Sequence, residues 1–192
     1  MKKYFLALVL VFCLVSVANA NEIEKCFNYL KSQNYQLAKQ AGQNAVRTYP
    51  QSAGAHECLG MTYTSLGDFN LSIKELKIAE KLANNKADLG IIYSIGGDYN
   101  NLGDLNNALL YYDRQLEITR DLSDKEGESS ALTNIGEIYR KQGNYDKALE
   151  YYNKSLQLAS DPITIATIYN NIAGVYSAKG DNNKTVEYLK KL

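Results

Sequence analysis

The sequence predicts an all-α fold, a stack of about five helix-turn-helix units. Three observations carry this. Tyr29, Tyr63, Tyr99, Tyr139 and Tyr176 recur at intervals of 34, 36, 40 and 37 residues. Each stands three residues after a small one, in order Cys26, Gly60, Gly96, Gly136 and Ala173. From the second interval on, a glycine followed by Asp or Asn comes four residues after the tyrosine: Gly67-Asp68, Gly103-Asp104, Gly143-Asn144 and Gly180-Asp181. Ala38, Ser72, Ala108, Ala148 or Thr185 follows nine residues after it. Self-similarity at this period denotes supersecondary units that stack on their neighbours, not a single globular core.

The first twenty residues obey other rules. Lys2 and Lys3 make a basic start, an apolar run extends from Phe5 to Val17, and Ala18-Asn19-Ala20 ends it with small residues at both required positions. This is the pattern of a secretory signal peptide cleaved after Ala20. The run is shorter than the roughly 18–20 apolar residues that span a bilayer. Val11 and bulky Phe12 before Cys13 do not suit a lipoprotein signal. Without the leader the chain keeps 19 basic and 21 acidic residues, a net charge of −2. That balance gives no electrostatic reason to expect nucleic acid or anionic lipid as a partner. Cys26 and Cys58 remain. An oxidising compartment permits a disulfide, but Cys58 falls two positions before its unit's small site. The register therefore predicts that the two side chains do not converge and favours packed free thiols.

Residues 129–162 serve as the reference unit. Leu132, Ile135, Gly136 and Tyr139 fall at i, i+3, i+4 and i+7, one face of a helix. Gly143 ends that helix and Asn144 caps the next. Tyr145, Ala148, Leu149, Tyr152 and Leu156 form the inner face of the second helix. Small Gly136 and Ala148 let the two helices approach, and Tyr139 and Tyr152 fill the space beside them. Pro162 follows, where the second helix does not continue.

The pattern L-x-x-I-G-x-x-Y-x-x-x-G-x-Y-x-x-A-x-x-x-Y resembles the tetratricopeptide repeat, over essentially the whole chain after the leader. The resemblance implies a right-handed superhelical solenoid with units near 21–52, 53–88, 89–128, 129–165 and 166–192. The stretch from Gln115 to Glu128 lengthens one unit to 40 residues. It looks like the subtype found in kinesin light chains and spindle-orientation adaptors, with Ser123 and Glu126 placed to form a capping box. Glu22 and Lys25 stand where other units have large apolar residues, which suits an end unit. At the other end no further helix is expected to cover Val186, Leu189 and Leu192, so self-association or partner docking through the last unit, or fraying of its last helix, is expected.

No set of residues points to catalysis. His56, the single histidine, falls at a core position equivalent to Leu132. There is no His/Cys/Asp cluster at metal-ligand spacing, no phosphate-binding glycine loop and no nucleophile elbow. No cofactor, metal or small-molecule substrate is expected. The resemblance implies instead a concave groove lined by outward positions of the first helices. These are Glu57, Met61 and Thr64, then Tyr93, Ser94, Gly97 and Asn101, then Thr133, Asn134, Glu137, Arg140 and Lys141, then Asn170, Asn171, Gly174 and Ser177. Asn134 and Asn171 each precede the small residue by two positions. In the 40-residue subtype, asparagines there resemble a ladder that holds the backbone of an extended peptide, since an amide both donates and accepts. Arg140 and Lys141 suit an acidic ligand. The expected function is an exported scaffold, periplasmic or secreted in a bacterium, that binds a peptide or protein segment. The alternative is a ligand-sensing input module of an envelope signalling system.

Overall fold

The computed structural model describes residues 22–83 and 88–192. The expected leader and its cleavage point lie outside the described residues. Among the described residues every regular element is an α-helix. In order they are α1 (22–31), α2 (Tyr35–Thr48), α3 (Ala53–Leu66), α4 (Phe69–Leu82), α5 (Leu89–Asn101), α6 (Leu105–Asp121), α7 (Lys125–Lys141), α8 (Tyr145–Leu158), α9 (Pro162–Ala178) and α10 (Asn182–Leu189). No described helix is long and apolar enough to cross a membrane. The chain divides into two compact units, the first ending at Asp98 and the second beginning at Tyr99.

One turn design explains the Gly-Asp/Asn signal. Gly67, Gly103, Gly143 and Gly180 all adopt φ between 75° and 79°, a left-handed conformation that costs glycine little. The chain then doubles back so that the next residue's N–H reaches the tyrosine carbonyl five residues earlier. Asp68 donates to Tyr63, Asp104 to Tyr99, Asn144 to Tyr139 and Asp181 to Tyr176, all at 2.9 Å. These bonds satisfy carbonyls that a helix end otherwise leaves unpaired. The side chains of Asp104, Asn144 and Asp181 then cap the following helices through the N–H groups of Asn107, Lys147 and Lys184. Without glycine, Gln33 closes the first turn at φ 59°.

The first unit has a core of small residues at its start and larger ones further on. Ala38, Ala41, Gly42 and Ala45 are the buried residues of α2. Leu59, Ile73, Leu76, Ile91, Ile92 and Ile95 fill the later helices. A Cβ built on Gly60 would lie 2.6 Å from a Leu76 side-chain carbon, so only glycine admits this approach. The expectation of free thiols is corrected here: Cys26 of α1 and Cys58 of α3 form a disulfide, with Cα atoms 6.2 Å apart and both residues fully buried. The register argument compared positions within one unit. Stacking sets the small site of one first helix against the position two before the small site of the next, and that brings the thiols together.

Polar groups also enter this core. His56 is 5% exposed; its Nδ1 lies 2.6 Å from Glu75 Oε2 and its Nε2 3.1 Å from the Pro50 carbonyl. Asp98 is fully buried and accepts from the Thr64 hydroxyl at 3.0 Å, while Thr64 and Ser72 share a 2.8 Å contact. Thr64, expected on the groove, is thus turned toward a buried polar cluster. Burial pushes the Asp98 carboxyl above the usual range even though the Ser72 and Thr64 hydroxyls pull it down.

The second unit is built from aliphatic and aromatic packing. Ala108, Tyr112, Leu116, Leu132, Ile135 and Ile138 form one cluster. Ala148, Tyr152, Ile168, Ile172 and Val175 form the next. The close approach of α7 and α8 is real: a Cβ on Gly136 would lie 2.7 Å from the Tyr152 ring. A second tyrosine, twelve residues on, meets each repeat tyrosine. Tyr139 and Tyr151 stack with centroids 5.3 Å apart, Tyr176 and Tyr188 stack at 5.6 Å, and Tyr99 and Tyr111 tilt at 5.8 Å. Such pairs add about 0.5–1.5 kcal/mol beyond area burial.

The capping box proposed for Ser123 and Glu126 does not form. Ser123 takes the left-handed conformation at φ 56° to close α6, which moves the cap one residue on. Asp124 accepts from the Gly127 N–H at 2.9 Å. Glu126 instead reaches the α8–α9 connection, accepting from the Ser160 N–H, the Ser160 hydroxyl and the Asp161 N–H. Asp161 caps α9, and Pro162 takes its first turn, where a missing N–H leaves nothing unpaired. At the end of the second unit α10 buries no residue completely, and Val186, Leu189 and Leu192 are 50%, 44% and 59% exposed.

Candidate binding groove

The outward faces of α7 and α9 line one cavity of about 350 Å³ in the second unit, bounded by Thr133, Asn134, Glu137, Arg140, Thr167, Asn170, Asn171 and Gly174. Seven of the residues that the sequence placed on the groove therefore meet: Thr133, Asn134, Glu137, Arg140, Asn170, Asn171 and Gly174. Helical spacing puts them there. Positions 133, 134, 137 and 140 run down one stripe of α7, as 167, 170, 171 and 174 do on α9. Thr167 escaped the sequence reading, although it stands three and four residues before the asparagines and completes their stripe. Gly174 has no atom near the place a Cβ would take, so the wall is open there.

Tyr93, Asn101 and Lys141, also expected on the groove, do not line this cavity. Tyr93 is 49% exposed on α5 and belongs to the first unit. Asn101 is exposed at the end of α5. Lys141 extends its ammonium to Asn100 Oδ1 at 2.7 Å.

The groove's electrostatics centre on three residues. Arg140 donates from Nε to Glu137 Oε2 and from an Nη to Oε1, both at 2.7 Å. Tyr152, whose ring is fully buried, donates its hydroxyl to Glu137 Oε2 at 3.1 Å. Burial alone would push the Glu137 carboxyl up. The Arg140 and Tyr152 hydrogen bonds and the Lys141 charge outweigh it and hold the group below the usual carboxylate range. Burial and the same carboxylate push the Tyr152 phenol well up. Glu137 is thus an anion with its charge already answered.

Behind the groove, Thr133 donates to or accepts from Ser155 at 2.7 Å, and Ser155 meets Ser129 at 2.8 Å, so the wall is braced by a buried hydroxyl chain. Asn134 differs. Its Nδ2 is shielded from water and has no hydrogen-bond partner among the described residues. A donor in that state costs free energy until an acceptor arrives.

Comparison with known proteins agrees with this architecture. Tetratricopeptide-repeat profiles match residues 88–161 and 166–192. No curated protein sequence matches the chain. Among solved structures, a MamA protein superposes with a TM-score of 0.71 at 21% identity, over 90% of this chain and 88% of its own. PilF of Pseudomonas aeruginosa gives 0.70 at 22% identity, over 92% of this chain and 76% of its own. YrrB, described as a TPR protein with an unusual peptide-binding site, gives 0.66 at 17% identity, over 90% and 84%. At these identities the likeness is one of fold. With helix pairs, glycine turns and small-residue crossings recurring along the chain, and with repeat profiles matching residues 88–161 and 166–192, the chain belongs to the tetratricopeptide repeat family.

Proposed function

We propose that this protein is an exported interaction scaffold whose second unit holds an extended peptide or protein segment in the α7–α9 groove. The observation that carries this reading is the partnerless Asn134 Nδ2 in the wall of a preformed cavity that Asn171 also lines. Two amides on successive first helices suit the alternating groups of an extended backbone, and a turn of the Asn134 side chain into the cavity would offer its unpaired donor to a peptide carbonyl. YrrB, of the same fold, is described as carrying a peptide-binding site. The protein acts by binding, not by turnover: its one histidine is engaged by Glu75 and Pro50 inside the core. The Cys26–Cys58 disulfide supports export, because such bonds persist in oxidising compartments.

The test is selection from a random peptide library with the chain from Asn21 onward, followed by titration of the enriched peptides. The double variant Asn134→Ala/Asn171→Ala should bind them more weakly, with an unchanged melt. Equal affinity in the double variant would refute the site. N-terminal sequencing of protein recovered from its native host tests export, which fails if the chain still begins at Met1.

A further inference from the structure

We infer that Glu137 sets the ligand selectivity of the groove by occupying Arg140, so that the groove accepts uncharged segments and turns acidic ones away. This rests on the groove reading above and reverses the preference for acidic ligands that Arg140 and Lys141 suggest in the sequence.

Among the described residues the guanidinium is the one cationic group lining the cavity, and it is engaged twice by a single carboxylate. A bidentate pair of this geometry is among the stronger polar contacts. Glu137 is also pinned from behind. Tyr152 is fully buried, and its hydroxyl fixes the carboxylate oxygen that Arg140 Nε shares. The carboxylate is therefore not free to swing aside for a competing anion. A ligand Asp or Glu would have to displace Glu137 from two hydrogen bonds at 2.7 Å and then sit beside the displaced negative charge. Like charges so placed repel. A ligand carbonyl meets no such obstacle: Glu137 takes two of the five guanidinium N–H donors, and a donor not held by Glu137 can bind a neutral oxygen without disturbing the pair. Lys141 offers no substitute charge within the cavity, since its ammonium is on Asn100. The remaining lining is hydroxyl, amide and the open place at Gly174. The groove is thus polar but carries no unanswered charge.

Two substitutions unmask opposite charges. Glu137→Gln keeps the shape and releases Arg140; Arg140→Gln leaves Glu137 unanswered. The experiment selects one random heptapeptide library with the wild-type chain, each single variant and Asn134→Ala/Asn171→Ala, and then titrates enriched peptides against their Asp-substituted and Lys-substituted twins. The wild type should enrich uncharged peptides and bind both charged twins more weakly. Glu137→Gln should prefer the Asp twin by roughly tenfold or more. Arg140→Gln should shift toward the Lys twin, which tests the idea independently if the first variant folds poorly. The inference is overturned if the wild type already favours acidic peptides, or if both variants keep its preference. In those cases a loss of binding in the asparagine double variant would leave the groove reading standing. If the wild type enriches nothing beyond that double variant, the groove reading and the inference fall together.

Discussion

The position two residues before the small site of a first helix is occupied by Cys58 in α3, Asn134 in α7 and Asn171 in α9. In the first unit that side chain is fully buried and bonded to Cys26. In the second unit its counterparts line an open groove. One register position thus serves as a covalent staple in one region and as a cavity-lining amide in the other. The supporting cores differ in the same sense. The repeat tyrosine Tyr63 is followed twelve residues later by Glu75, paired with buried His56, whereas Tyr139 and Tyr176 are followed by Tyr151 and Tyr188, which stack on them. Two residues after the small site, α5 has buried Asp98, and α7 and α9 have Ile138 and Val175. Equivalent backbone positions do not imply equivalent duties. The first unit closes itself with a disulfide and a buried His–Glu pair, whereas the second combines aromatic and aliphatic packing with hydroxyl and ion-pair contacts along its groove.

Breaking the staple should have the largest effect. Cys26→Ser/Cys58→Ser, or reduction, removes a bridge across 32 residues of sequence. The expected loss is about 2–4 kcal/mol. Because α2 buries only small residues, hydrogen exchange should rise first in 22–48 while the second unit keeps its protection. Uniform loosening of both units would erase the contrast.

The mirror experiment overpacks the second unit. Gly136→Leu forces a side chain into the Tyr152 ring, and Ala148→Leu crowds the same crossing; each should cost about 1–3 kcal/mol or more. The exchange signature should now appear in the second unit, since repeat stacks transmit strain mainly to neighbours. A melt identical to the parent's would mean that the helix register is wrong.

Binding should respond where stability does not. Each hydrogen bond lost in Asn134→Ala/Asn171→Ala should weaken peptide binding by about 0.5–1.5 kcal/mol, with a nearly unchanged melting temperature. A control on the outer face should use Lys154 and not Tyr151. The Tyr151 ring stacks on Tyr139, so its removal would lower stability as well.

The smallest effect is a slope against pH. Burial raises the Asp98 carboxyl, so the folded chain holds that proton more tightly than the unfolded chain does. The contribution of Asp98 is therefore most favourable in acid. It declines as pH rises from the ordinary carboxylate value through the raised one. Asp98→Asn should flatten that part of the stability curve and raise the melting temperature at neutral pH. A difference between variant and parent that does not grow from about pH 4 to pH 7 would contradict this.

Much of this protein was legible as a one-dimensional period. Small residues at helix crossings, tyrosines beside them and Gly-Asp/Asn turns each answer a local need of a helix pair, and local needs recur at fixed spacing. The outward positions of α7 and α9 were named through the family resemblance, and helical spacing puts them on one stripe together with Thr167, which that reading missed. What the sequence could not supply were relations between neighbours. Whether Cys26 meets Cys58 depends on how one first helix lies against the next. Whether Arg140 is free depends on the orientation of Glu137 and on a buried phenol from α8. Whether Ser123 or Asp124 caps α7 depends on how α6 closes. Each is settled by interhelical distance and side-chain direction, which only the packed structure decides, because periodicity says which face a residue occupies and not what stands opposite.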